Sequence, residues 1–169
     1  QSVIQNGMIA IGGSITLLAR FTPEEAFELI ERDRLTIFAG VPTMYFALLH
    51  HQGERAYDVS SLRGCMTGGA PMPVEVMGAF EEKFNVIIQE GFGLSETSPI
   101  ASFTVPDKPR KTGSIGYPVW GVEMCIVDDE DNRLPDGERG EIFIRGHNIM
   151  KGYLGRPDAT KETLKNGWF

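Results

Sequence analysis

Short apolar runs alternate with amphipathic stretches through the first half of the chain, the pattern of strands and crossover helices in a layered α/β domain. Ile15 to Ala19 reads as a strand. Thr22 then caps a helix running to about Arg32, with Pro23 at its first position and Glu24 and Glu25 against the positive end of the helix dipole. Leu35 to Ala39 is the next strand, and Pro42 opens a helix to about His50. Leu62 to Met66 is a third strand, Pro73 opens a third helix to about Lys83, and Val86 to Gln89 is a fourth strand. Nearly continuous apolar strands bounded by helices predict a parallel sheet covered on both faces. After Pro99 the pattern changes. Val122 to Val127 and Glu141 to Arg145 predict an antiparallel pair, because only a turn-rich segment carrying Asp131, Asn132, Pro135, Asp136 and Gly137 separates them. The predicted fold class is α/β: a layered, mostly parallel sheet with flanking helices, followed by a small antiparallel β unit. A composition break over Lys108 to Gly116 divides an α/β part, residues 1–108, from a β-rich part, residues 109–169.

Charge and composition then remove whole classes of function. Lys and Arg number 16 against 23 Asp and Glu, a net charge of −7, and 41% of residues are hydrophobic. That is the make-up of a globular domain, and it argues against non-specific nucleic-acid binding, which depends on a basic face. The one basic cluster, Lys108, Arg110 and Lys111, is short and broken by Pro109, and reads as a solvated loop. The longest apolar stretch, Met8 to Ala19, is interrupted by Gly12, Gly13, Ser14 and Thr16 and falls short of the ~20 residues of a membrane span. The N-terminus lacks a basic region leading into an apolar core, so a cytoplasmic location is expected. Cys65 and Cys125 are far apart and lack the short spacing of a zinc site, and the sequential His50 and His51 read as surface residues.

The candidate chemistry follows the third and fourth strands. Thr67, Gly68, Gly69, Ala70 and Pro71 leave a backbone open to close approach at the strand edge where open α/β sheets bind ligands, although a tight turn has the same composition. Glu90, Gly91, Phe92, Gly93, Leu94, Ser95, Glu96 and Thr97 come next. Gly91 and Gly93 flank an aromatic ring free to stack on a flat base, and Ser95 and Glu96 add a hydroxyl and a carboxylate suited to a phosphate and its metal ion. Taken singly, Phe92 also reads as a core residue and Glu96 as a solvated acid. Gly93 to Thr97 also approaches the nucleophile elbow of α/β-hydrolases, with acids and then His147 following in hydrolase order. Against that reading, the last elbow glycine is missing and Pro99 leaves little room for the helix that must follow Ser95.

Together these loops and the downstream hairpin resemble AMP-dependent acyl-CoA synthetases of the adenylate-forming superfamily. The resemblance runs over essentially the whole chain. It rests on four ordered motifs: Thr67 to Pro71, Gly91 to Glu96, Gly113 to Pro118, and Gly140 to Tyr153 with Pro157, Ala159 and Thr160 after it. It implies that a carboxylic acid attacks the α-phosphate of ATP, giving an acyl-adenylate and pyrophosphate, and that the thiol of coenzyme A then displaces AMP. It further implies that Phe92, where the family usually has tyrosine, stacks on adenine. Ser95, where threonine is common, would bond the AMP phosphate, and Glu96 would help to hold Mg²⁺. Gly68, Gly69, Ala70 and Pro71 would shape the adenine and acyl walls with Gly91 and Gly93, while Leu94 and Ile100 would line the acyl pocket.

The resemblance also implies an internal piece of the adenylating domain, expected to be inactive by itself. The family's upstream phosphate loop is not in the sequence, nor is the C-terminal domain with its lysine, and Trp168 and Phe169 suggest a chain cut mid-domain. The same motifs occur in peptide-synthetase amino-acid adenylation domains and luciferase-like oxygenases, and a piece of this kind also suits a simple binding module. Val41 to Tyr45 and Ile149 to Tyr153 look closest to fatty and aryl acyl-CoA synthetases, and no acidic anchor for an amino group is evident.

Overall fold

A computed structural model describes residues 2–53 and 55–169. It divides into two compact units. One takes in the chain up to Phe92 together with Thr104–Gly116, the other Gly93–Phe103 and Tyr117–Phe169.

In the first unit a short π-helical turn, Ser2–Asn6, and helix α1, Gly7–Ala10, precede the elements that the apolar pattern predicts. Helix α2, Pro23–Arg32, begins as expected: the Thr22 hydroxyl accepts from the Glu25 N–H at 3.3 Å and donates to the Glu25 carboxylate at 2.7 Å, with Pro23 at the first turn. Strand β1, Ile37–Gly40, helix α3, Pro42–Leu49, strand β2, Gly64–Thr67, helix α4, Val74–Phe84, and strand β3, Ile88–Phe92, follow in order. The three strands pair in parallel, with Phe38 opposite Cys65 and Cys65 opposite Ile88. That register puts three apolar side chains in one row across the sheet. Against the row pack Ala26, Phe27 and Ile30 of α2, Tyr45 and Leu48 of α3, and Met77 and Phe80 of α4.

Each of these strands begins two residues later than its apolar run. Leu62 and Val86 are buried in the core and Leu35 packs against it before pairing starts. Apolarity reports burial, and here burial precedes the hydrogen-bond ladder. The strand expected at Ile15 to Ala19 does not form. That segment has no regular structure, and Leu17 is exposed while Leu18 packs on the core. Besides Leu18, a side-chain bond from the Thr16 hydroxyl to Asp33 at 2.9 Å ties it to the unit, and a lone run without a paired neighbour has no ladder to join. Nor is the sheet of this unit covered on both faces, because Ile37, Arg63, Gly64, Met66 and Gln89 line an open hollow of about 260 Å³.

Two polar expectations also change. His51 is half-buried in an aromatic group, 5.6 Å from the Phe27 ring and 6.3 Å from that of Tyr57, whereas His50 is exposed as expected. Arg110 is not freely solvated. Its guanidinium pairs with Glu81 at 2.7 Å and its side chain is 27% exposed, because the loop carries it back along α4. Cys65 and Cys125 are free, and burial pushes the Cys65 thiol up to about 12, so it stays protonated core.

The second unit holds two antiparallel pairs. Strand β4, Ser102–Phe103, pairs with β5, Tyr117–Pro118, and β6, Val122–Val127, pairs with β7, Glu141–Gly146, as the turn-rich separator predicts. The Asp128 carboxylate closes that separator by accepting from the Glu130 and Asn132 N–H groups at 3.0 and 2.8 Å. Helix α5, Pro157–Thr163, comes next, and Phe169 exchanges backbone bonds of 2.7 and 2.9 Å with Ile144 on β7. The architecture is thus a parallel sheet with flanking helices plus a small antiparallel β part. Among the described residues no helix is long and apolar enough to cross a membrane.

Tyr45 is the polar element of the first core. Fully buried, it donates its hydroxyl to the Met66 carbonyl at 2.7 Å, and its ring meets Phe38 and Phe80 edge-on at 5.3 and 5.0 Å. Tyr45→Phe keeps the ring contacts but removes the hydroxyl's bond to the Met66 carbonyl. It is expected to cost about 0.5–1.5 kcal/mol, read as a lower urea midpoint.

Candidate functional site

Two of the loops singled out by their composition lie in the first unit. After β2 the chain turns through Gly68, Gly69, Ala70 and Pro71, with Gly69 at φ +83°, a region that costs glycine nothing. A Cβ at Gly68 would stand 3.0 Å from the Gly91 carbonyl oxygen at the end of β3, so a side-chain-free seam joins the two motifs. Gly69, Ala70 and Pro71 are exposed, and Gly91 and Phe92 are half-buried. The Thr67 hydroxyl at the base of the loop is buried without a hydrogen-bond partner.

Glu90 ties this region together, a role that its sequence does not advertise. Its carboxyl lies among the Met72 N–H, just past the loop after β2, the Gly113 N–H of the third motif, and the charge of Arg110. Burial raises its pKa above the usual carboxylate range, and those three groups act in the opposite direction. Its backbone is held as well: the Glu90 N–H donates to the Thr104 hydroxyl at 3.1 Å, and the Glu90 carbonyl accepts from the Thr104 N–H at 2.9 Å.

The remaining candidate residues lie in the second unit, on a tight turn. Ser95–Thr97 is one turn of 3₁₀ helix, and Ser98 follows at φ +52°. The fully buried Thr97 hydroxyl donates to the Leu94 carbonyl at 3.0 Å and accepts from the Leu94 N–H at 2.9 Å. A Cβ at Gly93 would collide with the Pro99 carbonyl oxygen and come within 2.8 Å of Ile100 Cα. The turn thus presents Leu94 and Ser95 outward and leaves Glu96 and Ile100 half-buried. No helix follows Ser95, since the 3₁₀ turn stops at Thr97.

Residues far along the chain fix this turn. Asn148 Nδ2 donates to the carbonyls of Thr97 and Ile100 at 2.9 and 2.7 Å, and the Met150 N–H donates to the Glu96 carbonyl at 2.8 Å. The Tyr153 hydroxyl donates to Glu96 Oε1 at 2.8 Å. Sequence reasoning placed Asn148 and Tyr153 in a matching motif but gave them no task. Only the fold brings together residues separated by 51 and 57 positions. His147, the hydrolase candidate, lies beside Trp120 with ring centroids 6.1 Å apart.

With this geometry in view, the comparisons are decisive. The family of AMP-binding enzymes matches residues 1–154. The chain belongs to that family. It is 38% identical over 168 residues to a long-chain-fatty-acid–CoA ligase of Bacillus subtilis, covering 99% of this chain and 30% of the relative. It is 38% identical over 161 residues to a feruloyl-CoA synthase of an Amycolatopsis species, covering 94% of this chain and 32% of the relative. Among solved structures it matches the anthranilate CoA ligase AuaEII in complex with anthranoyl-AMP at a TM-score of 0.86 and 31% identity, over 94% of this chain and 31% of that one. The chain therefore spans about a third of the length of the relatives that it matches.

The turn at Gly93 should resist even a methyl group. Gly93→Ala is expected to lower the unfolding free energy by about 1–3 kcal/mol. Gly78→Ala, whose Cβ enters open space within α4, should instead raise it by about 0.5–1 kcal/mol; thermal melts of both check the contrast. Glu90 gives a pH signature. Because its folded pKa is raised, the folded state binds the proton more readily, and Glu90 loses stability as pH rises from the ordinary glutamate range through the folded value. Urea midpoints between pH 4.5 and 7, an interval of order set by the glutamate range, should shift in favour of Glu90→Gln as pH rises.

Proposed function

We propose that the full-length protein is an AMP-forming acid–thiol ligase, which joins a fatty or aryl carboxylic acid to coenzyme A through an acyl-adenylate. The observation that carries this reading is the Ser95–Thr97 turn, which sets a hydroxyl and a fixed carboxylate side by side in a chain whose relatives are named as CoA ligases and synthetases. In the first step a carboxylate oxygen of the acid attacks the α-phosphorus of ATP and pyrophosphate leaves. In the second, the CoA thiol attacks the acyl carbon and AMP leaves.

The roles divide as follows. Phe92 supplies a ring face for adenine, with Gly68, Gly69, Ala70, Pro71, Gly91 and Gly93 keeping side chains out of its way. Ser95 donates a hydrogen bond to the AMP phosphate. Leu94 and Ile100 give the acid an apolar wall, which favours an aliphatic or flat aryl group over an amino acid, whose ammonium group would need a partner. Among the described residues no three acids, histidines or cysteines group as a complete metal site. Magnesium on a nucleotide needs only one or two carboxylates besides phosphate and water, and the single carboxylate of Glu96 fits that demand. When bound, the ion would neutralise charge developing on the phosphates. A cytoplasmic setting agrees with two free thiols.

The test is carboxylate-dependent exchange of pyrophosphate into ATP, run on the full-length protein with a panel of fatty, aryl and amino acids. Fatty or aryl acids should support exchange, and Glu96→Gln should slow it by roughly 10²-fold. A preference for amino acids would overturn the acyl assignment, and an unaffected Glu96→Gln would overturn the role of the carboxylate.

A further inference from the structure

Tyr153 departs from the behaviour of an exposed tyrosine. The residue is 36% exposed, yet its hydroxyl is committed to Glu96 Oε1 at 2.8 Å instead of to solvent alone. Its backbone is just as firmly held. The Tyr153 N–H donates to the Thr160 hydroxyl of α5 at 2.9 Å, and that hydroxyl in turn donates to the Arg156 carbonyl at 2.9 Å. The residue before it, Gly152, sits at φ +145°, and a Cβ there would stand 2.7 Å from Thr160 Cγ2, so the close approach requires glycine. Upstream, both hydrogens of the Asn148 amide go to carbonyls of the turn that carries Glu96, and the Met150 N–H takes the carbonyl of Glu96 itself. Residues 148, 150 and 153 thus grip residues 96, 97 and 100 from one short segment.

We propose that Tyr153 is a positioning residue for Glu96, mounted on a strap that Asn148 pins to the same turn. The inference rests on the reading that Glu96 acts in adenylation. A phenol is a neutral donor: it occupies one carboxylate oxygen, orients the plane of the group and leaves both its charge and its second oxygen for a ligand. A lysine in that place would cancel the charge. Because carboxylate orientation decides how a metal–nucleotide complex is met, the effect belongs to binding of that complex more than to turnover once it is saturating.

The experiment is a double-mutant cycle on the full-length protein with Tyr153→Phe, Glu96→Gln and the double variant. Affinity for the Mg²⁺ complex of an α,β-methylene ATP analogue is read by calorimetry, KM and kcat by pyrophosphate exchange, and stability by thermal melting. Tyr153→Phe should weaken analogue affinity and raise KM for Mg²⁺·ATP by roughly three- to tenfold, with kcat and melting temperature held. In the Glu96→Gln background it should cost nothing further. The same loss in both backgrounds, or a melting temperature that falls in step with affinity, would mark a purely structural bond and overturn the proposal. An unaffected Tyr153→Phe beside an impaired Glu96→Gln would overturn the positioning role alone. A Glu96→Gln indistinguishable from the unaltered protein would remove the role of Glu96 and this inference with it.

Discussion

A strand that ends at a ligand site leaves N–H and C=O groups with no ladder to join, and unpaired backbone polar groups are costly once buried. Most of what distinguishes this chain follows from how that cost is met. Its candidate residues lie at the end of β3 and in the loops after β2 and β3, where neighbouring backbone gives out. Polar side chains take over: Glu90 for the N–H groups of Met72 and Gly113, Thr97 for both backbone groups of Leu94, and Asn148 for the carbonyls of Thr97 and Ile100. None of these is a proposed ligand contact. They give the loops specific shapes where the backbone carries few side chains of its own.

The two units solve this problem differently. In the first, an apolar row across three parallel strands packs on three helices, and the loop after β2 inherits its position from a rigid sheet. Glycine then does the remaining work by absence, as at Gly68, where a side chain would press on the Gly91 carbonyl. In the second, the strands are short or hairpin-paired, and the Ser95–Thr97 turn depends on hydrogen bonds from a segment beyond β7. Packing sets the loop after β2; directed polar contacts set the carboxylate.

That difference governs how far the structure was legible from the sequence. The cap of α2 was readable because Thr22, Pro23 and Glu25 act within one turn of each other. The hairpin of β6 and β7 was readable because its separator is all turn chemistry. Strand starts were displaced because Leu62 and Val86 satisfy the apolar pattern as core residues before pairing begins, and Ile15 to Ala19 matched a strand pattern without having a neighbour. At the site, glycines and the aromatic ring were visible as local composition. The uses of Glu90, Asn148 and Tyr153 were not, since each depends on a partner that no local period encodes.

The span of the Asn148 contact has a consequence for how the protein is made. The turn and its fastener are separated by 51 positions, so during synthesis the Glu96 segment leaves the ribosome well before Asn148 is added. At translation rates of about 5–20 residues per second, that interval lasts on the order of several seconds. A nascent chain in that window carries every residue of the 95–100 turn and the local Thr97 bonds to Leu94, but none of the contacts from residues 148, 150 and 153. The β6–β7 hairpin, whose own pairing is local, is ready to form as soon as it emerges, and the arrival of its trailing segment closes the long-range contacts. The order of synthesis therefore makes shaping of the carboxylate a late event, after the first unit has had time to assemble its core.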